Sequence, residues 1–352
     1  MTRIKKYKLL SRRTCVLVGL VLVYTFAFLF ARQSKQREIK VNPPILSSYP
    51  ALSEQRKALA NKPTIQPLRV LDSSQIVDDM KFLSSPECEG RAPGTKGHAT
   101  AITLIIKRMR ESGLDSLAED YTQFFKGRRM NGSKEGKNVL GYVRGTTMPD
   151  EFIVISAHYD HVGVNDGKIY PGASDNASGT AALLALAKYF RKNPAAYSLL
   201  FIAFDREESG LEGSRYFVEN PPLKKESIKF NLNIDMIARN EQNEIFICGV
   251  RQQPGFRSIV ENAQKQTNAR LLMGHDGHEQ GRRNNWVSLS DHFPFYQKGI
   301  PFLYLGVEDH PDYHQPTDTW EKFDLSEYIE NCNLVVTLIK EIHAYYSNQK
   351  SF

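Results

Sequence analysis

From residue 71 onward the hydrophobic pattern alternates between helix-like and strand-like segments. Helices are predicted over Ser74–Leu83, Gly97–Ser112, Ser178–Lys192, Gln252–Thr267, Asp291–Gln297 and Leu325–Ser347. Short apolar runs bounded by polar or glycine-rich turns predict strands over Asn138–Arg144, Phe152–Ala157, Ser198–Phe204, Phe230–Met236, Ile245–Cys248 and Phe302–Leu305. Some of these runs, FIVIS and LLFIAF among them, are almost wholly apolar, as strands are when helices cover both faces of their sheet. Ser178–Lys192 is alanine-rich, which suits a helix packed closely on that sheet. The alternation predicts one domain over residues 71–352, an α/β class, three-layer α/β/α sandwich with a mainly parallel, mixed central sheet.

The first 70 residues follow a different pattern. Thr14–Ala31 is an 18-residue run without a charge. As a helix it would span about 27 Å, close to the roughly 30 Å of a bilayer's hydrocarbon core. Six basic residues precede it, which predicts a cytoplasmic segment over 1–13 and a signal-anchor transmembrane helix over 14–31. The body would then be membrane-anchored and extracytoplasmic, in a periplasmic or extracellular space. The rival is a secreted protein cleaved near Ala31, against which the length of the run and bulky Leu29 both count. Residues 32–70 contain Pro43, Pro44, Pro50, Pro63 and Pro67 and predict a semi-extended linker.

Charge sharpens this division. The chain has 46 Lys and Arg against 39 Asp and Glu, a formal +7. Ten of those basic residues and one acid lie in residues 1–40, so the tail carries +9 and the rest −2. A nucleic-acid-binding body would need its positive charge on the folded surface, so that class is excluded. Four cysteines without a Cys-x-x-Cys pair exclude a disulfide framework and a thiolate metal site.

In open α/β sheets function gathers at the carboxyl ends of the strands. Here Phe152–Ala157 runs into His158-Tyr-Asp160-His161, and a glycine-rich turn then supplies Asp175 and Asn176. Ser198–Phe204 runs into Asp205-Arg-Glu207-Glu208, Phe230–Met236 carries Asp235, and Phe302–Leu305 leads to His310 and His314. Converging carboxylates repel unless cations neutralise them. Imidazole and carboxylate together suit zinc or a similar divalent ion.

The segments SAHYDHVG, GASDNASG, FDREESGLEGS, NIDMIARN, SDHFPFYQKGIP and HPDYHQPTDT, with EGRAPGTKGHATA ahead of them, resemble the co-catalytic di-zinc aminopeptidases. This is the bacterial leucyl aminopeptidase-like group that also includes the glutaminyl cyclases. The resemblance covers roughly residues 75–345 and implies the zinc exopeptidase fold. It implies two Zn²⁺ per chain, with Co²⁺ or Mn²⁺ as substitutes. Five ligands carry over: His158 with Glu208 on one ion, Asp235 with His314 on the other, and Asp175 bridging. Glu207 would be the general base that draws a proton from a zinc-held hydroxide's parent water. Asp160 would hydrogen-bond the second nitrogen of His158, and the Asp175–Asn176 peptide bond would be cis. Peptides with a free N-terminus are the implied substrates, their amine facing Asp235 and Glu207.

Asp291 and Trp286 are candidate substrate contacts. His161, His275, His278, His292 and His310 fall outside the implied ligand set and suggest packing or solvated roles. Gly274–Trp286 is a polar loop that could cover substrate. Some relatives place a tyrosine just before the SDH-like segment to polarise the scissile carbonyl; here Asn284-Asn-Trp286-Val-Ser has none. The expectation is thus a zinc-dependent aminopeptidase. Glutaminyl cyclisation on the same scaffold is the chemical alternative, and a non-catalytic ectodomain is the alternative from another class.

Overall fold

The computed structural model describes residues 49–130, 133–277 and 284–349. The apolar run Thr14–Ala31 lies outside them. Among the described residues no helix is long and apolar enough to cross a membrane.

Eight strands form the main sheet: β1 (Thr122–Met130), β2 (Ser133–Val143), β3 (Met148–His158), β6 (Tyr197–Phe204), β7 (Ile228–Ile234), β8 (Glu244–Cys248), β9 (Arg270–Met273) and β10 (Phe302–Gly306). Their order is β1-β2-β6-β3-β7-β10-β8-β9. β4 (Gly163–Asn165) and β5 (Lys168–Tyr170) make a separate small hairpin. The centre is parallel, β6 with β3, β3 with β7 and β7 with β10. Antiparallel β1, β2 and β8 flank it.

Alternation sends successive side chains to opposite faces. Ile153, Ile155, Leu199, Phe201, Phe230 and Leu232 pack on one side with α4 (Ser178–Lys192), α3 (Lys96–Glu111), α2 (Ser73–Leu83) and α8 (Leu325–Gln349). Phe152, Val154, Leu200, Ile202 and Phe204 pack on the other with Phe217 of α5 (Glu212–Glu219) and Phe295 of α7 (His292–Gln297). Helices therefore cover both faces of a large mixed sheet, as the apolar runs predict. α4 buries every residue from Ser178 to Ala187, its small side chains allowing close approach to the sheet.

Several elements depart from the predicted pattern. β1, α5 and β9 were not anticipated. β1 reads TQFFKGRRM with Phe124 exposed at the sheet edge, so its sequence lacks the alternation that marks a strand. The helix expected over Gln252–Thr267 is confined to α6 (Arg257–Gln264), because Pro254 opens a preceding single turn. The linker expected over 32–70 also needs correction. α1 (Leu52–Ala60) lies inside it and packs on the body. Gln55 Nε2 donates to Met273 O and Gln55 Oε1 accepts from Met273 N–H, both at 2.9 Å. A side-chain amide thus stands in for a neighbouring strand beside β9, the last strand of the sheet. Arg56 adds a bidentate pair to buried Glu244 at 2.9 and 2.8 Å.

Candidate metal centre

The parallel centre of the sheet gathers the predicted groups. β3 pairs with β7 up to Ser156↔Asn233 and with β6 at His158↔Phe204. Two residues past the first pair, His158 and Asp235 come side by side. Their Nε2 and Oδ1 atoms are 3.2 Å apart. The residues after Phe204 leave β6 at the same edge, and this is where Glu207 and Glu208 sit.

Asp175 arrives from the turn before α4, and that turn is pinned from several directions. The Asp175–Asn176 peptide bond is cis, in agreement with the resemblance. Asn176 donates to Ile234 O at 3.0 Å and accepts from Gly179 and Met236 N–H groups, tying the turn to the end of β7. Asp318 accepts from the backbone and hydroxyl of Ser174, whose hydroxyl also meets His310 Nε2 at 2.8 Å. Arg91 is fully buried and is bonded to backbone carbonyls. It reaches those of Tyr159, Leu83, Pro171, Gly172 and Asp175 at 2.6–3.2 Å. Arg91 lies in the segment EGRAPGTKGHATA, and the resemblance implies no role for it. Its one visible signal is an arginine amid glycine-rich, apolar surroundings.

The two oxygens of Asp175 face different groups. Oδ1 is 3.2 Å from His158 Nε2, and Oδ2 is 2.9 Å from His314 Nε2. His314 is also 3.2 Å from Glu208 Oε1. The five predicted ligands therefore converge, but the predicted pairing is corrected. His158 groups with Asp235, and Glu208 with His314, about a shared Asp175. Pairing depends on strand register, which spacing along the chain does not reveal.

His161 is a second correction. Expected to pack or be solvated, it is buried with Nδ1 3.0 Å from Glu208 Oε1 and 3.5 Å from Asp175 Oδ2. A third concerns Asp160. Its carboxylate is 3.7 Å from His158 Nδ1, while its backbone carbonyl is nearer at 3.1 Å. The carboxylate is engaged elsewhere: Oδ1 accepts from Glu207 N–H at 3.0 Å and Oδ2 from Glu208 N–H at 3.3 Å. Asp205 is buried, accepting from Lys137 N–H and meeting His98 Nε2, both at 2.8 Å.

Asp291 is buried, and burial pushes its carboxyl up to about 7 against the opposing pull of His158 and the Ser214 hydroxyl. Trp286 stacks on His275 at 3.7 Å and meets Tyr304 edge-on, so it lines an aromatic cluster and not the ligand group. Residues 278–283 of the expected covering loop, His278 included, lie outside the described residues.

The electrostatics call for cations. Glu207 is pushed well above the usual carboxylate range by burial and by Asp235, Asp291 and Glu208, against the opposing pull of His158. His314 is drawn up to about 10: burial opposes this, but its contacts with Asp175 and Glu208 prevail. Excess protons on imidazole are how a carboxylate-rich cavity gains positive charge without metal. The donor set fits divalent ions. A tetrahedral zinc with bonds of about 2.0–2.1 Å sets its donors about 3.3–3.4 Å apart, and the Nε2–Oδ1 distances from His158 to Asp175 and Asp235 are both 3.2 Å.

Residues 138–339 match the model of peptidase family M28, more than half of the chain. Aminopeptidase YwaD of Bacillus subtilis is 27% identical over 219 residues, covering 59% of this chain and 45% of its own length. An aminopeptidase of Pseudomonas aeruginosa is 32% identical over 169 residues, 46% of this chain and 29% of that protein. The chain thus spans less than half the length of these two relatives. Among solved structures, a zinc aminopeptidase from Bacillus subtilis aligns with TM-score 0.61 at 18% identity, over 78% of this chain and 96% of that one. Porphyromonas gingivalis glutaminyl cyclase aligns with TM-score 0.64 at 18% identity, over 78% of this chain and 100% of that one. These likenesses establish the fold, and with the matched family model and the converging donors they show that the chain belongs to peptidase family M28.

Proposed function

We propose that this chain is a zinc-dependent aminopeptidase that removes N-terminal residues from peptides with a free amine. The observation that carries the reading is Asp175, whose two oxygens face two separate donor groups about 3 Å away. His158, Asp175 and Asp235 would hold one divalent ion, and Asp175, Glu208 and His314 the other. Divalent ions held by these residues would polarise the scissile carbonyl and acidify a bound water. Glu207 receives the proton of the attacking water on its carboxylate and returns it to the leaving amine. Asp160 holds the backbone of Glu207 and Glu208 through both its oxygens, so it sets where that base points. With divalent ions bound and Glu207 and Asp291 ionised, these two and Asp235 would give the cavity a negative field that favours an ammonium group.

Zinc analysis of the purified protein, with turnover of amino-acid anilides before and after chelation, tests the reading. Glu207→Gln is expected to keep zinc and lose about 100- to 10,000-fold in kcat. Unchanged turnover in that variant, or protein without zinc, would refute it. The glutaminyl cyclase alternative rests on the shared fold, and glutaminyl peptides in the same assay separate cyclised from hydrolysed product. We also propose that residues 14–31 anchor the protein with its body outside the cytoplasm. Extraction of the body by alkaline carbonate, or its protection from protease added to cells stripped of any outer membrane, would count against that.

A further inference from the structure

We infer that His161 is a metal ligand, completing with Asp175, Glu208 and His314 a four-coordinate site that the His158 group does not match. The inference rests on the metallopeptidase reading above.

Four donor separations frame this position. His161 Nδ1 is 3.0 Å from Glu208 Oε1 and 3.5 Å from Asp175 Oδ2. His314 Nε2 is 2.9 Å from Asp175 Oδ2 and 3.2 Å from Glu208 Oε1. All four donors lie within 4.8 Å of one another. They scatter around the about 3.3–3.4 Å edge of a tetrahedron of zinc ligands.

The ring is held in place by its surroundings. His161 lies three residues past His158, and its backbone N–H donates to Arg91 O at 3.3 Å. Its ring lies against Gly172, where an added Cβ would come within 2.4 Å of the imidazole. It meets the ring of His314 edge-on at 5.4 Å. A glycine is thus required at 172 both by its φ of +55° and by the imidazole beside it.

His161 is buried, and its Nε2 has no hydrogen-bond partner among the described residues. Its ring's polar contacts are those of Nδ1 with the carboxylates of Glu208 and Asp175.

The two positions then differ in kind. The His161 position offers four protein donors, whereas the His158 group offers three among the described residues. Closed four-ligand sites retain their metal, and three-ligand sites leave a position for water or substrate. The structure assigns tight retention to the His161 position and exchange to the other.

The test measures zinc affinity directly, by competition with a chelator of known strength, on the full chain. Wild type is expected to bind two ions of unequal affinity. His161→Asn should weaken the tighter one by at least about 100-fold, since even indirect partners of ligands contribute 10- to 100-fold. The absorption of Co²⁺ at that position should change with it. His161→Cys supplies a replacement donor and should recover most of the lost affinity, which a packing role would not explain. Two ions bound as tightly in His161→Asn as in wild type would overturn the inference and leave the metallopeptidase reading standing. Wild type that binds no zinc would overturn both.

Discussion

At the residue scale, ligand identity and ligand grouping come from different kinds of information. The resemblance named His158, Asp175, Glu208, Asp235 and His314 as ligands, and the fold brings all five to one edge of the sheet. Their grouping could not be read from the chain, because it depends on His158 and Asp235 meeting across two parallel strands. Asp160 shows the same limit. Its position two residues after His158 suggested a contact with the ring, yet its oxygens serve the backbone of Glu207 and Glu208. That arrangement makes a prediction. Asn at 160 retains one acceptor and turns a donor toward the other N–H. The Asp160→Asn variant is expected to fold, keep its zinc and lose about 10- to 100-fold in kcat, the usual cost of disturbing a ligand's supporting partner. Steady-state kinetics beside a far-ultraviolet spectrum measure this, and a change confined to KM would contradict the role.

At the element scale, strongly apolar segments were legible and polar edge elements were not. β3, β6, β7 and β10 occupy the predicted places because buried central strands need continuous apolar runs. β1 and β9 lie at the two ends of the sheet, where that requirement lapses. α1 was hidden between Pro50 and Pro63, in a stretch whose composition suggests a spacer. Its function in the fold is carried by Gln55 and Arg56, polar residues that no hydrophobic pattern reveals. Edge strands expose unpaired backbone groups, and Gln55 satisfies both of those at Met273. Removing α1 should therefore matter more than removing a linker. A chain starting at residue 71 loses those bonds and the Arg56–Glu244 pair. The loss is about 2–3 kcal/mol on ordinary hydrogen-bond values. At roughly 2–4 °C per kcal/mol for a domain of this size, the melting temperature should fall by about 5–10 °C relative to a chain starting at 49. Equal melting temperatures would show that α1 only rests on the surface.

At the scale of the whole molecule, a buried histidine outside the metal centre should link stability to pH. His343 on α8 is buried, and burial holds it down to about 4. Its Nδ1 accepts from Tyr197 N–H at 3.4 Å, and its Nε2 has no hydrogen-bond partner among the described residues. In the unfolded chain a histidine titrates near 6.5. Above that value neither state carries the proton, so this group's contribution to stability is fully present. As pH falls from about 6.5 to 4, the unfolded chain takes up a proton that the native one refuses, and stability is lost. The total is about 3 kcal/mol, at 1.4 kcal/mol per pH unit. Histidines at the metal centre are drawn in the opposite direction, and zinc release at low pH complicates any single melting curve. Comparing wild type with His343→Asn removes that complication, because the centre titrates alike in both proteins and the amide oxygen can still accept from Tyr197. The variant should gain on wild type by roughly 3 °C per pH unit between pH 6.5 and 4.5. A difference that stays constant with pH would mean that His343 is charged in the folded protein and that the acid lability originates at the metal centre.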